Sequence, residues 1–183
     1  MRVVGVDDGA FPPRRGVGQG QTALLVAVLF RDLTIAALRL GRIAVDGNDA
    51  NDVLVSMLKG LRFDMVMLST ISFGGFNLVD ITDLAGSLRK PVIAISREKP
   101  DNAAVSRALR NHFADWQERW QKVKNAGTLY TFKPLPKEPR LYFEVKGAAP
   151  AYAKKSIAST ATVSRLPEPI RVAGLMARGL RLT

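Results

Sequence analysis

The chain has 183 residues, 47% of them hydrophobic, with a net charge of +11 and no cysteine. That length fills one core without requiring a second, so one domain spanning residues 1–183 is expected. Disulfide frameworks and thiolate metal sites are excluded, and without a membrane-length apolar run or a signal-peptide layout the expectation is a soluble cytoplasmic protein with no membrane partner.

The first element is a short strand. Val3, Val4 and Val6 are apolar and β-branched, as a buried strand prefers, and the run ends in Asp7, Asp8 and Gly9. Two adjacent carboxylates at the end of a core strand are costly to desolvate unless a helix N-terminus, a cation or a metal compensates. Two readings stand: Asp7 anchors a divalent-metal site at the sheet edge, or Asp-Asp-Gly is a turn. Pro12, Pro13, Arg14 and Arg15, with glycines at 16, 18 and 20, then make an irregular loop. GVGQGQT is no phosphate-cradling P-loop, because the lysine is missing and a strand follows.

Residues 22–30 form a continuous apolar run, the pattern of a central strand covered on both faces. After a short turn at Arg31 and Asp32, residues 33–45 give another strand, so the sheet starts antiparallel. The stretch Asp46-Gly47-Asn48-Asp49 interrupts, and Asp49 or Asn51 is placed to cap a helix reaching about Leu61. Residues 63–68 read as a short buried strand, 69–76 as a loop, and Asn77 as the cap of a helix through Leu88. With a strand at 91–96, this alternation predicts parallel strands joined by crossover helices. Gly74, Gly75 and Phe76 either offer N–H groups and an aromatic wedge to a nucleotide or simply permit a tight turn.

From Asp101 a long helical section carries Val105, Leu109, Phe113, Trp116, Trp120 and Val123 as a core-facing stripe, stopped by Gly127. His112, the single histidine, lies beside that stripe and reads as a surface or half-buried residue. Two strands follow, at 128–133 and 140–146, and then two helices, one from Pro150 to Thr160 and one starting near Pro167. In the last helix Arg171, Gly174, Arg178 and Arg181 share one side, away from Val172, Ala173, Met176, Ala177 and Leu180. Residues 133–183 hold ten Lys/Arg against three Glu, net +7, whereas the first 132 hold seventeen against thirteen, net +4. Such an excess favours nucleic acid as partner, the alternative being a solvated basic face. The candidates for phosphate contact are Arg14, Arg15, Lys154, Lys155, Arg165, Arg171 and Arg178.

Five stretches carry a resemblance: VGVDDGAF, VDGNDAND, MLSTISFGGFNLVDI, PVIAISREKPD and RLPEPIRVAGLMA. In that order they resemble the archaeal family called domain of unknown function 99, related to the endonuclease V enzymes of the ribonuclease H-like superfamily. The Pro-Glu-Pro-x-Arg turn into a terminal helix is the most telling. The resemblance implies an α/β fold: a ribonuclease H-like mixed sheet, antiparallel in its first three strands and then parallel, with helices on both faces. It also implies acidic residues converging at strand ends to hold Mg²⁺, an ion suited to oxygen donors that activates water and stabilises charge on a phosphate. The first metal carboxylate of the relatives matches Asp7, with Asp8 beside it, and the second falls on Asp46 or Asp49. These make Asp7, Asp46 and Asp49 the candidate catalytic residues. Where the relatives carry a third carboxylate this chain has Ser69, and where endonuclease V carries a histidine it has Gly174. The implied function is nucleic-acid binding with a weakened Mg²⁺ site and impaired cleavage; the alternative is an active Mg²⁺-dependent endonuclease on DNA or RNA. A scaffold whose basic face meets an acidic protein is the third reading.

Overall fold

Residues 1–11 and 20–180 are described in a computed structural model; Arg14, Arg15 and Arg181 lie outside the described residues. The first three strands are β1 (Arg2–Asp8), β2 (Thr22–Arg31) and β3 (Thr34–Ala44). Helix α1 (Ala50–Leu58), β4 (Met65–Leu68), a two-stranded hairpin of β5 (Ser72–Phe73) and β6 (Asn77–Leu78), α2 (Ile81–Leu88) and β7 (Val92–Ser96) follow. Then come α3 (Asn102–His112), α4 (Trp116–Asn125), β8 (Tyr130–Phe132), β9 (Leu141–Lys146), α5 (Pro150–Thr160) and α6 (Glu168–Gly179).

Seven strands form one sheet in the order β3-β2-β1-β4-β7-β9-β8. β1 to β3 pair antiparallel, and β1, β4 and β7 run parallel, as the residue pattern implies. Past β7 the sheet turns antiparallel again through β9 and β8. β2 shows why its run is apolar throughout. Leu25, Ala27 and Leu29 pack with Leu54 and Leu84 on one face, while Leu24, Val26, Val28 and Phe30 meet Ala173 and Ala177 of α6 on the other.

Helix α6 lies along β1, and glycines make room for it. A Cβ on Gly5 would land on the backbone of Pro169, one on Gly174 on the carboxylate of Asp7, and one on Gly9 within 2.5 Å of the Ala177 carbonyl oxygen. From Gly5 to Gly9 a strand advances about 13 Å, and from Pro169 to Ala177 a helix advances about 12 Å. Strand and helix therefore run side by side in step. Leu166 and Ile170 complete the contact by packing with Val3, Met65 and Ile93.

Two local expectations differ. The long helical section is two helices, broken at residues 113–115, although the apolar stripe still packs around Leu78, Leu109 and Val123. Asn77 does not cap α2; Asp80 does, accepting from Thr82 N at 2.9 Å and Asp83 N at 3.1 Å. Asn77 is instead buried in β6, where its Oδ1 accepts from Ala50 N at 3.1 Å and so caps α1 from across the fold. His112 is exposed, in keeping with its reading as a surface residue.

Candidate nucleic-acid and metal site

β1 and β4 are parallel, with Val6 level with Leu68, so Asp7 and Ser69 emerge together at one edge of the sheet. Ser69 Oγ donates to Asp7 Oδ1 at 2.5 Å, and Asp8 N donates to the same oxygen at 3.0 Å. Asp7 Oδ2 lies 4.0 Å from Arg178 Nη1 on α6. Burial pushes the Asp7 carboxyl above the usual range, opposed by the Ser69 hydroxyl, the Asp8 N–H and the charges of Arg178 and Arg97. Asp8 is also pushed up, by burial first and further by the Asp7 charge, while the Gly74 N–H, 2.7 Å away, stabilises its ionised form. Ser69 thus serves Asp7 as a hydrogen-bond donor.

Beside this edge opens a cleft of about 700 Å³. Asp7, Asp8, Ser69, Arg97, Lys99, Glu144 and Arg178 supply its polar wall; Phe76, Leu78, Val105, Val123, Leu129 and Leu166 supply an apolar one. The Glu144 carboxyl, on β9, is raised to about 7 because burial disfavours its charge, with only its own backbone N–H opposing.

Asp46 and Asp49 do not join Asp7. Neither lines the cleft, and their carboxylates are used by nearby backbone and amide groups. Asp46, in the left-handed region at φ +56°, accepts from Phe76 N at 2.9 Å while its own N–H donates to Gly74 O at 2.8 Å. Asp49 accepts from Ala44 N at 3.2 Å and from the Asn77 amide. The two hold the 72–78 hairpin in place, and Asp8 grips the same turn at Gly74 from the cleft side. Asp64 is at the far end of β1, bonded to Arg2 N, and Asp80 caps α2. Among the described residues no three of His, Cys, Asp or Glu converge closely enough to hold a metal ion. The expected meeting of residues 7, 46 and 49 is corrected accordingly: backbone N–H groups have claimed the second acidic segment.

Asp7, Asp8 and Ser69 are all hard oxygen donors. They fit Mg²⁺ in the form in which it takes one or two carboxylates and completes its shell with water and substrate phosphate. They do not form an all-protein cage.

The predicted cations divide. Arg178 has a 55% exposed side chain and faces the cleft. Arg171 is held by Glu168 through bonds of 2.8 and 2.7 Å, and Arg165 by the Arg140 carbonyl and Glu98. Lys154 is half-buried and Lys155 exposed on α5, and neither lines the cleft. The sequence reading passed over Arg97, Lys99 and Glu144. The first two directly follow β7 and so belong to the same carboxyl-end edge as Asp7, the edge where open α/β sheets bind ligands. Glu144 is the single acidic residue in an otherwise apolar and basic strand, LYFEVK. Gly174 leaves no gap toward Asp7: a Cβ there would land on Asp7 Oδ2 and stand 3.0 Å from Arg178 Nη1, so the carboxylate and the guanidinium fill the space a larger side chain would need.

A family model described as Endonuclease dU matches residues 1–181. A UPF0215 protein of Methanothermobacter thermautotrophicus is 34% identical over 187 residues, covering 100% of this chain and 88% of that protein. Its counterpart in Thermococcus gammatolerans is 34% identical over 180 residues, covering 97% and 90%. Among solved structures, a protein of unknown function from Archaeoglobus fulgidus superposes with a TM-score of 0.83 at 28% identity, covering 96% of this chain and 95% of that one. Ciona intestinalis endonuclease V, in complex with DNA containing an inosine, superposes with a TM-score of 0.61 at 14% identity, covering 94% and 82%. For human ENDOV the score is 0.59 at 16% identity, covering 97% and 83%. The fold is therefore that of endonuclease V, a ribonuclease H-like mixed sheet.

Proposed function

The chain belongs to the Endonuclease dU family, and from that membership we propose that its cleft binds a nucleic-acid strand together with one Mg²⁺ ion, cleaving the strand far more slowly than a site with three metal carboxylates. The observation that supports this reading is the half-buried Asp7–Asp8 pair, both carboxyls pushed up, on one wall with Arg97, Lys99 and Arg178. A desolvated carboxylate pair is stabilised by a cation, and exposed cations on the same wall are stabilised by phosphate.

A bound Mg²⁺ would supply Lewis-acid polarisation of a phosphoryl oxygen. The chain's own residues do the rest. Ser69 orients the Asp7 carboxylate by holding one oxygen and leaving the other toward Arg178. Gly74 N fixes Asp8, and Arg178 balances the charge of Asp7. Arg97 and Lys99 are the residues that meet the strand's phosphates. Ser69 brings no charge, so cation affinity and Lewis-acid power are both reduced.

The test measures binding and cleavage separately. Titration calorimetry with Mn²⁺ should show one weak site that Asp7→Asn removes. Fluorescence anisotropy at low salt should show oligonucleotide binding that survives the substitution. Wild-type protein that binds neither Mn²⁺ nor any oligonucleotide would refute the proposal. A second reading, an active Mg²⁺-dependent endonuclease on DNA or RNA, is favoured by the family's description, which names an endonuclease and dU. Labelled dU-containing strands cut at about 1 s⁻¹ or faster, within the ordinary enzyme range, would decide for it, provided Asp7→Asn abolishes the cutting.

A further inference from the structure

At the end of the parallel strands opposite the cleft, α1 and α2 finish side by side. Both run back along one face of the sheet, and Leu54, Met57 and Leu58 of α1 share a core with Leu84 and Ala85 of α2. Gly60, at φ +78°, turns the chain out of α1 so that Leu61 and Phe63 rejoin that core. Between the two helix ends lies a recess of about 680 Å³. Its floor is apolar: Leu58 and Phe63 are buried, and Val55, Leu61 and Leu88 are half-buried.

The rim is basic. Lys59 and Lys90 line the recess and are exposed, and Arg62 and Arg89, each next in sequence to lining residues, are exposed as well. Among the described residues none of these four side chains has an ion pair or a hydrogen bond. Asp52 is the one acidic residue lining the recess, about 10 Å along α1 from Lys59. Cations just past a helix C-terminus balance its carbonyls, which accounts for their sign but not for the apolar floor they surround. Arg89 also occupies the left-handed C-cap of α2, at φ +51°, where glycine is usual. A cation is thus kept where the backbone favours glycine, a strain that points to function.

An apolar floor ringed by unpaired cations complements a partner with apolar anchors and acidic flanks. A polynucleotide would use the rim and leave the floor in water. An added strand is excluded as well, because β1, β4 and β7, which begin at this end of the sheet, are each paired on both edges. The incoming backbone must then satisfy its own hydrogen bonds, as a helix does. We propose that this recess docks an amphipathic helix of a partner protein, with apolar residues at i, i+3 or i+4, and i+7 on the floor and Asp or Glu beside Lys59 and Lys90. Anchors from i to i+7 span about 10 Å, the distance along α1 from Asp52 to Lys59. Asp52 repels acidic groups at its own end, so the partner's carboxylates gather at the other. The proposal is independent of what the cleft binds.

The experiment selects random peptides of roughly 16 residues, displayed on phage, against the full chain, and measures the selected sequences as synthetic peptides by anisotropy. They should carry the helical apolar spacing with Asp or Glu at one end. Ser87→Trp, which fills the recess from the exposed surface of α2, should weaken binding roughly tenfold. Lys59→Glu with Lys90→Glu should do the same, since each ion pair gives way to a like-charge contact. Lys154→Glu with Lys155→Glu makes the same change in net charge and should leave the affinity within about twofold. Unaltered thermal unfolding reports that each variant is folded. Failure to enrich any sequence, or binding that survives Ser87→Trp or the Lys59 and Lys90 reversal, overturns the proposal. An oligonucleotide that displaces the peptide and is itself weakened by that reversal also overturns it, giving the rim to nucleic acid. So does a dimer in light scattering that Ser87→Trp dissolves, which would give the recess to a second copy of this chain.

Discussion

Glu144 lowers the stability of the folded chain at neutral pH, and the sign follows from its titration. The carboxyl is raised from 4.5 to about 7 in the fold, so between those values the folded protein keeps a proton that the unfolded chain has released. Stability is then highest below pH 4.5, falls as pH rises through that window, and levels off above 7. The whole fall is at most about 3 kcal/mol, at 1.36 kcal/mol per pH unit. Asp7 and Asp8 act with the same sign from an ordinary value of 3.8, and they remain in any Glu144 variant. Urea denaturation of wild type and Glu144→Gln between pH 4.5 and 8 isolates the Glu144 share as the difference between the two profiles. The variant should gain on the wild type as pH rises from 4.5 to about 7, and the difference should level off above that. Parallel profiles would place the cost elsewhere.

At the scale of elements, the site depends on how closely α6 lies on β1. At Gly5 a Cβ would meet the Pro169 carbonyl carbon and oxygen and the Ile170 nitrogen, all backbone atoms that cannot swing aside. Gly5→Ala should therefore cost about 3 kcal/mol, at the upper end for overpacking, and shift Arg178 relative to Asp7. Gly86→Ala is the control, because nothing stands within 4 Å of its Cβ in α2, and it should stabilise by up to about 1 kcal/mol. Equal effects in chemical denaturation would contradict the described packing. This contact also marks what could be read from the chain beforehand. The apolar runs and the Asp7–Asp8 ending fixed the strands and one corner of the site, because burial and charge are local properties of residue type. The fates of Asp46, Asp49 and Asn77 were not legible. Asp46 and Asn77 are set by backbone groups roughly thirty residues away, Phe76 N to Asp46 and Ala50 N to Asn77, and Asp49 is shared between Ala44 N and the distant Asn77 amide. Turn chemistry and capping preference name what such residues can do, but not which distant partner reaches them first.

Over the whole molecule, a net charge of +11 predicts attraction to polyanions but not where they bind. The structure separates two surfaces. One is the cleft rim of Arg97, Lys99 and Arg178; the other is α5, with Lys155 exposed and Lys154 half-buried. Both raise association by long-range steering, whereas only cations that neutralise phosphates contribute to the salt dependence of the equilibrium. For a single strand each neutralised phosphate adds about 0.7 to the slope of log K against log salt. Replacing Arg97 and Lys99 together by glutamine should flatten that slope by about 1.4, with weaker binding at every salt concentration. Replacing Lys154 and Lys155 by glutamine removes the same charge and should leave the slope unchanged. The reverse pattern would put the strand on α5, detach it from the carboxylate pair, and leave the cleft to another ligand.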